Sequence, residues 1–261
     1  LSVSRFPWPD DFPDVILHTS LELRNHHPDY PLAKSGDRFA ALRLAYDLMD
    51  PQAMEQIKSL VYKYDAIITP VTAIEVGGYN AIPDAMAVRF LVYLERPLGE
   101  DHYYHSGEIL QSNKVAHTRA KGFWRFVTPP QFGGDVRRGR NYFLVDDHIG
   151  HGGTLANLRG FIEANGGKVI GISTLTETRG AKQIRLDRTV HDMLLSKYGE
   201  NFDTFWRKTY GYGLECLTNV EAGFLYRQSS FEQIRASLAE ATGEVRASGL
   251  FAVEAVDAIS D

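Results

Sequence analysis

The chain has 261 residues, of which 44% are hydrophobic and 23% charged, and its 28 Lys and Arg against 33 Asp and Glu leave a net charge of −5. This is the composition of a globular chain with a sizeable core, in one large domain or a domain with an appendage, and not of a disordered or collagen-like one; the basic excess of a nucleic-acid binder is absent. A single cysteine, Cys216, excludes an intrachain disulfide, points to a reducing and hence cytoplasmic setting, and reads as a small buried apolar residue rather than a nucleophile.

Residues 1–14 carry Trp8, prolines and aspartates, with no basic stretch leading into an apolar one, and are not read as a signal peptide. Runs such as Ala66–Ile74 fall far short of the ~20 apolar residues of a membrane helix, so no membrane association is expected. Residues 1–35 show weak periodicity and predict an irregular arm. Phe39, Leu42, Leu44, Ala45 and Leu48, then Ile57, Leu60 and Val61, fall near helical spacing and predict two helices before Tyr64. The run Ala66–Thr69 predicts a buried strand, and Pro83 suits the first turn of a helix through Ala87. Phe90–Leu94, Phe123–Val127 and Tyr142–Val145 predict three more strands. The stretch from Glu95 to Gly122 has no pattern, and connections of that length are commonly functional.

Leu155, Leu158 and Ile162 mark one face of a helix that Gly166 and Gly167 end, and Val169–Leu175 predicts a fifth strand. Beyond it the pattern is helical. Thr218 with Glu221, and Ser230 with Gln233, have capping-box spacing, and Phe231, Ile234 and Leu238 share a helical face. The tail from Val245 is expected to be loosely held. Strands interleaved with helices predict an α/β fold, a mostly parallel twisted sheet with helices on both faces. Three parts are expected: an N-terminal arm (1–35), the α/β core with its leading helices (36–180) and a C-terminal helical extension (181–261).

The segment Tyr142-Phe-Leu-Val-Asp146-Asp147-His148-Ile149-Gly150-His151-Gly152-Gly153-Thr154-Leu155 reads strand, acidic pair, glycine-rich turn, helix. Ligands of open α/β sheets bind beyond the carboxyl ends of the strands. Adjacent carboxylates there repel each other, a cost that is tolerable if they accept hydrogen bonds from hydroxyls or face developing positive charge. Glycines followed by a helix start offer free amides and the positive end of the helix dipole to an anion, and the Thr154 hydroxyl adds a donor. A diol reader followed closely by a phosphate cradle describes a pocket for ribose 5-phosphate, in which no basic side chain is needed.

This segment resembles the 5-phosphoribosyl-1-pyrophosphate (PRPP) signature of type I phosphoribosyltransferases. The element order from about Asp65 to Thr176 is consistent with that family; the arm and the C-terminal helices lie outside the resemblance. It implies a type I phosphoribosyltransferase-like fold that transfers phosphoribose from PRPP to a nitrogenous base or amine and releases pyrophosphate, with magnesium carried by PRPP. Asp146 and Asp147 would contact the ribose hydroxyls, and His148, Gly150, His151, Gly152, Gly153 and Thr154 would hold the 5′-phosphate. Val71, Thr72 and Ala73 would form the pyrophosphate loop, and Lys114, Arg119 and Lys121 would belong to a flexible loop over the reacting centre. Two departures stand out. Gly150 and His151 replace the family's usual Thr or Ser, and Glu75 would oppose pyrophosphate if turned inward. A homodimer is compatible with this reading.

Other readings stay open. A non-catalytic protein could keep the PRPP pocket as a sensor. Asp146, Asp147, His148 and His151, with His102, His105 and His117 upstream, could serve a metal-dependent hydrolase. A dinucleotide motif fails because Leu155 stands where Gly or Ala is needed, and no Gly-Lys-Ser/Thr string occurs. Lys114, Arg119 and Lys121 could each be plain surface charges, and Arg137, Arg138 and Arg140 a solvated turn. Phe123, Trp124 and Phe126 read as core before base-stacking surface, and Trp206, Tyr210 and Tyr212 as interhelix packing before a base pocket.

Overall fold

The computed structural model describes residues 4–75, 78–95, 109–111 and 122–247. In chain order the elements are β1 (Ile16–Leu17), α1 (Leu21–His26), α2 (Tyr30–Lys34), α3 (Arg38–Leu48), α4 (Pro51–Tyr64), β2 (Ile67–Pro70), β3 (Thr72–Glu75), β4 (Gly78–Tyr79) and α5 (Ile82–Tyr93). They continue as β5 (Ile109–Gln111), α6 (Trp124–Val127), β6 (Phe132–Gly134), β7 (Asn141–Ile149), α7 (Gly153–Ala164) and β8 (Lys168–Glu177). The C-terminal helices are α8 (Arg188–Tyr198), α9 (Glu200–Tyr210), α10 (Asn219–Tyr226) and α11 (Phe231–Ala247).

The main sheet has the order β1-β8-β7-β2 with every pairing parallel. A second sheet, β4-β3-β5-β6, mixes directions. Side chains alternate across β7, because successive residues of a strand point to opposite faces. Phe143 and Val145 join the core under α3, α4 and α5, while Tyr142 and Leu144 join the core under α7. Helices thus cover both faces, as the interleaved pattern predicts. A third core, built on Trp206, Phe202, Leu225 and Leu238, holds the C-terminal helices together and includes Phe123 and Phe126.

Several expectations are corrected. Phe90–Leu94 is not a strand; all but Leu94 lie in α5, with Pro83 in its first turn, and Leu94 caps it. Its buried Ala85, Met86, Phe90 and Leu91 make a broad helical face, and a continuous apolar run suits a buried helix as well as a strand. Phe123–Val127 forms a short helical turn in which Phe123 and Phe126 both reach the C-terminal core. The strand through Tyr142–Val145 continues to Ile149, so the acidic pair is still hydrogen-bonded to β8. Phe39 does not belong to the buried face of α3; it is 76% exposed, and Ala40, Ala41, Leu44 and Ala45 take that face. Residues 4–15 carry no helix or strand, as the weak periodicity predicts, but the segment from Ile16 to Lys34 forms β1, α1 and α2. β1 pairs with β8, and Trp8, Phe12 and Val15 are buried. Val245 is buried as well, while residues 248–261 fall outside the described part.

The Thr218–Glu221 capping box forms. At α11, Ser230 caps the Gln233 amide, but the Gln233 side chain takes Ser229 as its partner. Cys216 is buried, and burial pushes its thiol up to about 11. Among the described residues no helix is long and apolar enough to cross a membrane.

Candidate functional site

A cavity of about 250 Å³ lies where β7 meets α7. Its walls include Asp146, His148, Gly150, His151, Gly152, Gly153 and Thr154, with Trp124, Arg125 and Pro130 on one side and Glu221 on another. The strand, the glycine turn and the helix start therefore converge on one space.

The loop is built for backbone, not side chains. Gly152 caps α7 in the left-handed conformation (φ 79°), which an L side chain rarely adopts, and a Cβ there would press on Thr218 and Ile184. A Cβ on Gly153 would lie 2.7 Å from Glu221 Oε1. No side chain caps α7, and its first helical hydrogen bond runs from the Ala156 N–H to the Gly152 carbonyl. The amides of Gly153, Thr154 and Leu155 precede it, so the helix presents unsatisfied donors and its positive end to the cavity.

The acidic pair is divided by the pleat. Asp146 follows Tyr142 and Leu144 onto the α7 face and lines the cavity. Asp147 follows Phe143 and Val145 onto the opposite face, where its Oδ2 meets Lys34 Nζ at 2.8 Å. Asp146 and Asp147 are only 8% and 6% exposed, so their charges matter. Burial, and then the charge of Asp147, hold the Asp146 carboxyl well above the usual carboxylate range. Burial would raise Asp147 too, but Lys34 outweighs it by charge and hydrogen bond and brings it below that range. Lys34 in turn is raised, burial being outweighed by Asp147 and Asp146. Of the two acids expected at the site, Asp146 lines the cavity and Asp147 does not.

His148 sits between the hydroxyls of Thr176 (2.9 Å) and Thr178 (3.2 Å), and Arg24 reaches the same Thr176 hydroxyl at 2.9 Å. Burial, and then the Arg24 charge, lower the His148 pKa. His151 packs edge-on to Phe224, and burial with the Arg125 charge pushes it down to about 4, so its ring is neutral at pH 7. The four residues considered for a metal thus point to separate partners. Among the described residues no three His, Cys, Asp or Glu side chains form a group able to hold a metal ion. His102, His105 and His117 lie outside the described part.

Behind the loop lies a charge cluster that sequence reasoning missed. Arg5 grips Glu221 through two bonds (2.6 and 3.0 Å) and donates to Asn157 Oδ1 at 2.6 Å. Glu221 also accepts from the Thr218 amide, and the Thr218 hydroxyl donates to the His151 carbonyl. Arg5 and the capping box of α10 therefore brace the loop together.

Val71 and Thr72 are buried and outside this cavity, and the Val71 N–H is committed to the Val145 carbonyl at 2.8 Å. The side chains of Ala73 and Glu75 lie outside the described part, as do Lys114, Arg119 and Lys121. Trp206, Tyr210 and Tyr212 pack among the C-terminal helices, in line with the packing reading.

No protein-family model matches the chain. It is 38% identical over 240 residues to "Protein TraN" of Escherichia coli, spanning 92% of this chain and 52% of that protein. It is also 38% identical over 158 residues to an "Uncharacterized protein" of Haemophilus influenzae, spanning 60% of this chain and 34% of that one. The chain spans about half the length or less of these curated relatives. Among solved structures, it is similar to a purine phosphoribosyltransferase from Pyrococcus horikoshii over 49% of this chain and 82% of that one, at 17% identity and a TM-score of 0.31. A phosphoribosyltransferase from Corynebacterium diphtheriae covers 60% of this chain and 94% of its own, at 11% identity and a TM-score of 0.31.

Proposed function

We propose that this site binds the phosphoribosyl group of PRPP and transfers it to a nitrogenous acceptor, releasing pyrophosphate. One observation carries the reading: a buried strand-end carboxyl, Asp146, and the uncapped amides of α7 line the same cavity of about 250 Å³. The amides of Gly153, Thr154 and Leu155 take the 5′-phosphate, with the Thr154 hydroxyl adding a donor. Asp146 then stands at the sugar, where its carboxyl accepts a hydrogen bond from a ribose hydroxyl and is drawn from its protonated toward its ionised form as positive charge develops at the anomeric carbon. Asp147 acts through position: its charge and its Lys34 partner set the protonation of Asp146. Magnesium enters as part of the substrate, bound to PRPP.

The second reading, a PRPP or nucleotide sensor of the same fold, is favoured by one feature. The Val71 amide, in the segment that would hold pyrophosphate, is already tied to the Val145 carbonyl. Calorimetry with PRPP and magnesium tests the pocket, and Asp146→Ala is expected to abolish the heat of binding. Pyrophosphate release across a panel of purines, pyrimidines and pyridines separates enzyme from sensor. A chain that binds no PRPP with Asp146 intact ends both readings.

A further inference from the structure

We infer that Arg125 is the cation that receives the ligand's phosphoryl group, making the cavity selective for a phosphate monoester dianion. This inference rests on the phosphoribosyl reading above and adds to it a side chain outside the glycine-rich segment.

Charge at the cavity wall leads to Arg125. Glu221 is neutralised by Arg5, with the Thr218 amide as a further donor. Asp147 is turned away onto Lys34. His151 is neutral at pH 7 and His148 is lowered. Arg125 differs from all of these. It lines the cavity, half-buried, with Nε donating to the Gly122 carbonyl at 2.6 Å and its guanidinium 5.0 Å from the Phe224 ring centre. Among the described residues it has no ion-pair partner. Burial lowers its pKa, and the charge of Glu221 opposes that only in part. A guanidinium taken partly out of water with its terminal nitrogens uncommitted is stabilised by an anion.

Magnitudes favour the same assignment. A helix N-terminus carries about +0.5 of a charge, whereas a phosphate monoester carries about −1.5 to −2 at neutral pH. Amides alone therefore leave most of the ligand charge uncompensated. Side-chain donors from the loop are scarce, since Gly152 and Gly153 cannot accept a Cβ without displacing neighbours. Gly150 has nothing within 4 Å of the place a Cβ would take, so the loop leaves open space there. A guanidinium from α6 supplies the missing unit of charge and a fork of donors suited to phosphate oxygens.

The test uses the whole chain and ribose 5-phosphate as the probe, measured by calorimetry, with inorganic phosphate as competitor. Arg125→Gln is expected to weaken ribose 5-phosphate by about tenfold to a hundredfold. The inhibition constant of inorganic phosphate should rise by a similar factor, because the lost contact is to the phosphoryl group. Arg125→Lys should recover part of the loss by restoring charge without the fork. If the unaltered chain ignores ribose 5-phosphate, the phosphoribosyl reading itself fails. If it binds and Arg125→Gln binds equally well, the inference alone fails. If Arg125→Lys is as weak as Arg125→Gln, the side chain merely props the turn at Gly122, and the inference is again overturned. Should Arg125→Gln unfold, Arg125→Met, which keeps an apolar stem over Phe224, carries the same comparison.

Discussion

Arg5 with Glu221 on one side of the glycine-rich loop, and Asp146 with Asp147 and Lys34 on the other, are both buried charge clusters, but their accounts differ. In the first, one cation meets one carboxylate through two hydrogen bonds, and the surplus donor finds Asn157. Burial alone would lower the Arg5 pKa, yet Glu221 more than offsets it and the net shift is upward. In the second, two carboxyls share one lysine that remains 36% exposed, and the carboxyl facing the cavity is held toward its protonated form. The balanced cluster braces the loop. The unbalanced one faces the cavity through Asp146. Stability in one region supports a charge deficit in its neighbour, as expected where strain sits at a site and is offset elsewhere.

The comparison breaks first at Arg5. Arg5→Ala leaves the Glu221 carboxylate buried and unpaired, which costs about 3–5 kcal/mol. Urea unfolding should show that loss, and Glu221→Gln together with Arg5→Met should recover much of it. A loss under ~1 kcal/mol would mean that the first cluster is no brace. Lys34→Met acts on the second cluster and is expected to cost about 1–2 kcal/mol, between the exposed and buried limits, because Lys34 is partly solvated. It also carries a pH signature. The folded pKa of Asp147 is depressed, so its contribution is present above the ordinary carboxylate value of about 3.9 and fades as pH falls through the folded value. The gap in melting temperature between the parent and Lys34→Met should therefore close as pH falls below about 4.

How far the sequence carries differs between the same regions. The path β7, loop, α7, β8 is legible because its signals are local: an apolar run, glycines at a helix start, leucines at helical spacing. Even the division of the acidic pair follows from alternation, since Asp146 continues the Tyr142 and Leu144 series and Asp147 the Phe143 and Val145 series. The brace is not legible, because Arg5 and Glu221 are 216 positions apart and neither sits in a motif that names the other. Lys34 is likewise 113 positions from Asp147. Arg125 is hidden for another reason: it is one cation in an aromatic run, and its place at the cavity depends on Phe123 and Phe126 anchoring that turn in the C-terminal core.

Asp146→Asn sharpens the comparison by reversing the sign. Asn keeps an oxygen for the Asp147 amide, which Asp146 Oδ1 accepts at 2.8 Å, and it removes the cost of ionising a buried carboxyl. The empty protein should melt a few degrees higher at pH 7, at about 2–4 °C per kcal/mol for a chain of this size. The sign fixes the pH window. A folded pKa raised above the unfolded one means that the parent loses stability as pH climbs from about 4 through the folded value. The advantage of the variant should grow over that window and then level off. Ligand binding should fall in the same variant. If Asp146→Asn melts lower at pH 7, the carboxyl is a structural acid like Glu221, and the contrast between the clusters disappears.

The smallest expected effect is at Gly150. Its φ is not positive and a Cβ there would meet nothing within 4 Å, so Gly150→Ser should change stability by no more than about 0.5 kcal/mol. Gly152→Ser, two residues on, forces a side chain into φ 79° beside Thr218 and Ile184, and should cost about 1–2 kcal/mol. The pair of melting curves reads backbone strain at one position against open space at the other. The serine at 150 adds a hydroxyl facing the same cavity, so ribose 5-phosphate should bind Gly150→Ser as well as the parent or better. Weaker binding by a chain of unchanged stability would mean that the ligand already fills the space beside Gly150 and that the serine crowds it rather than donating to it.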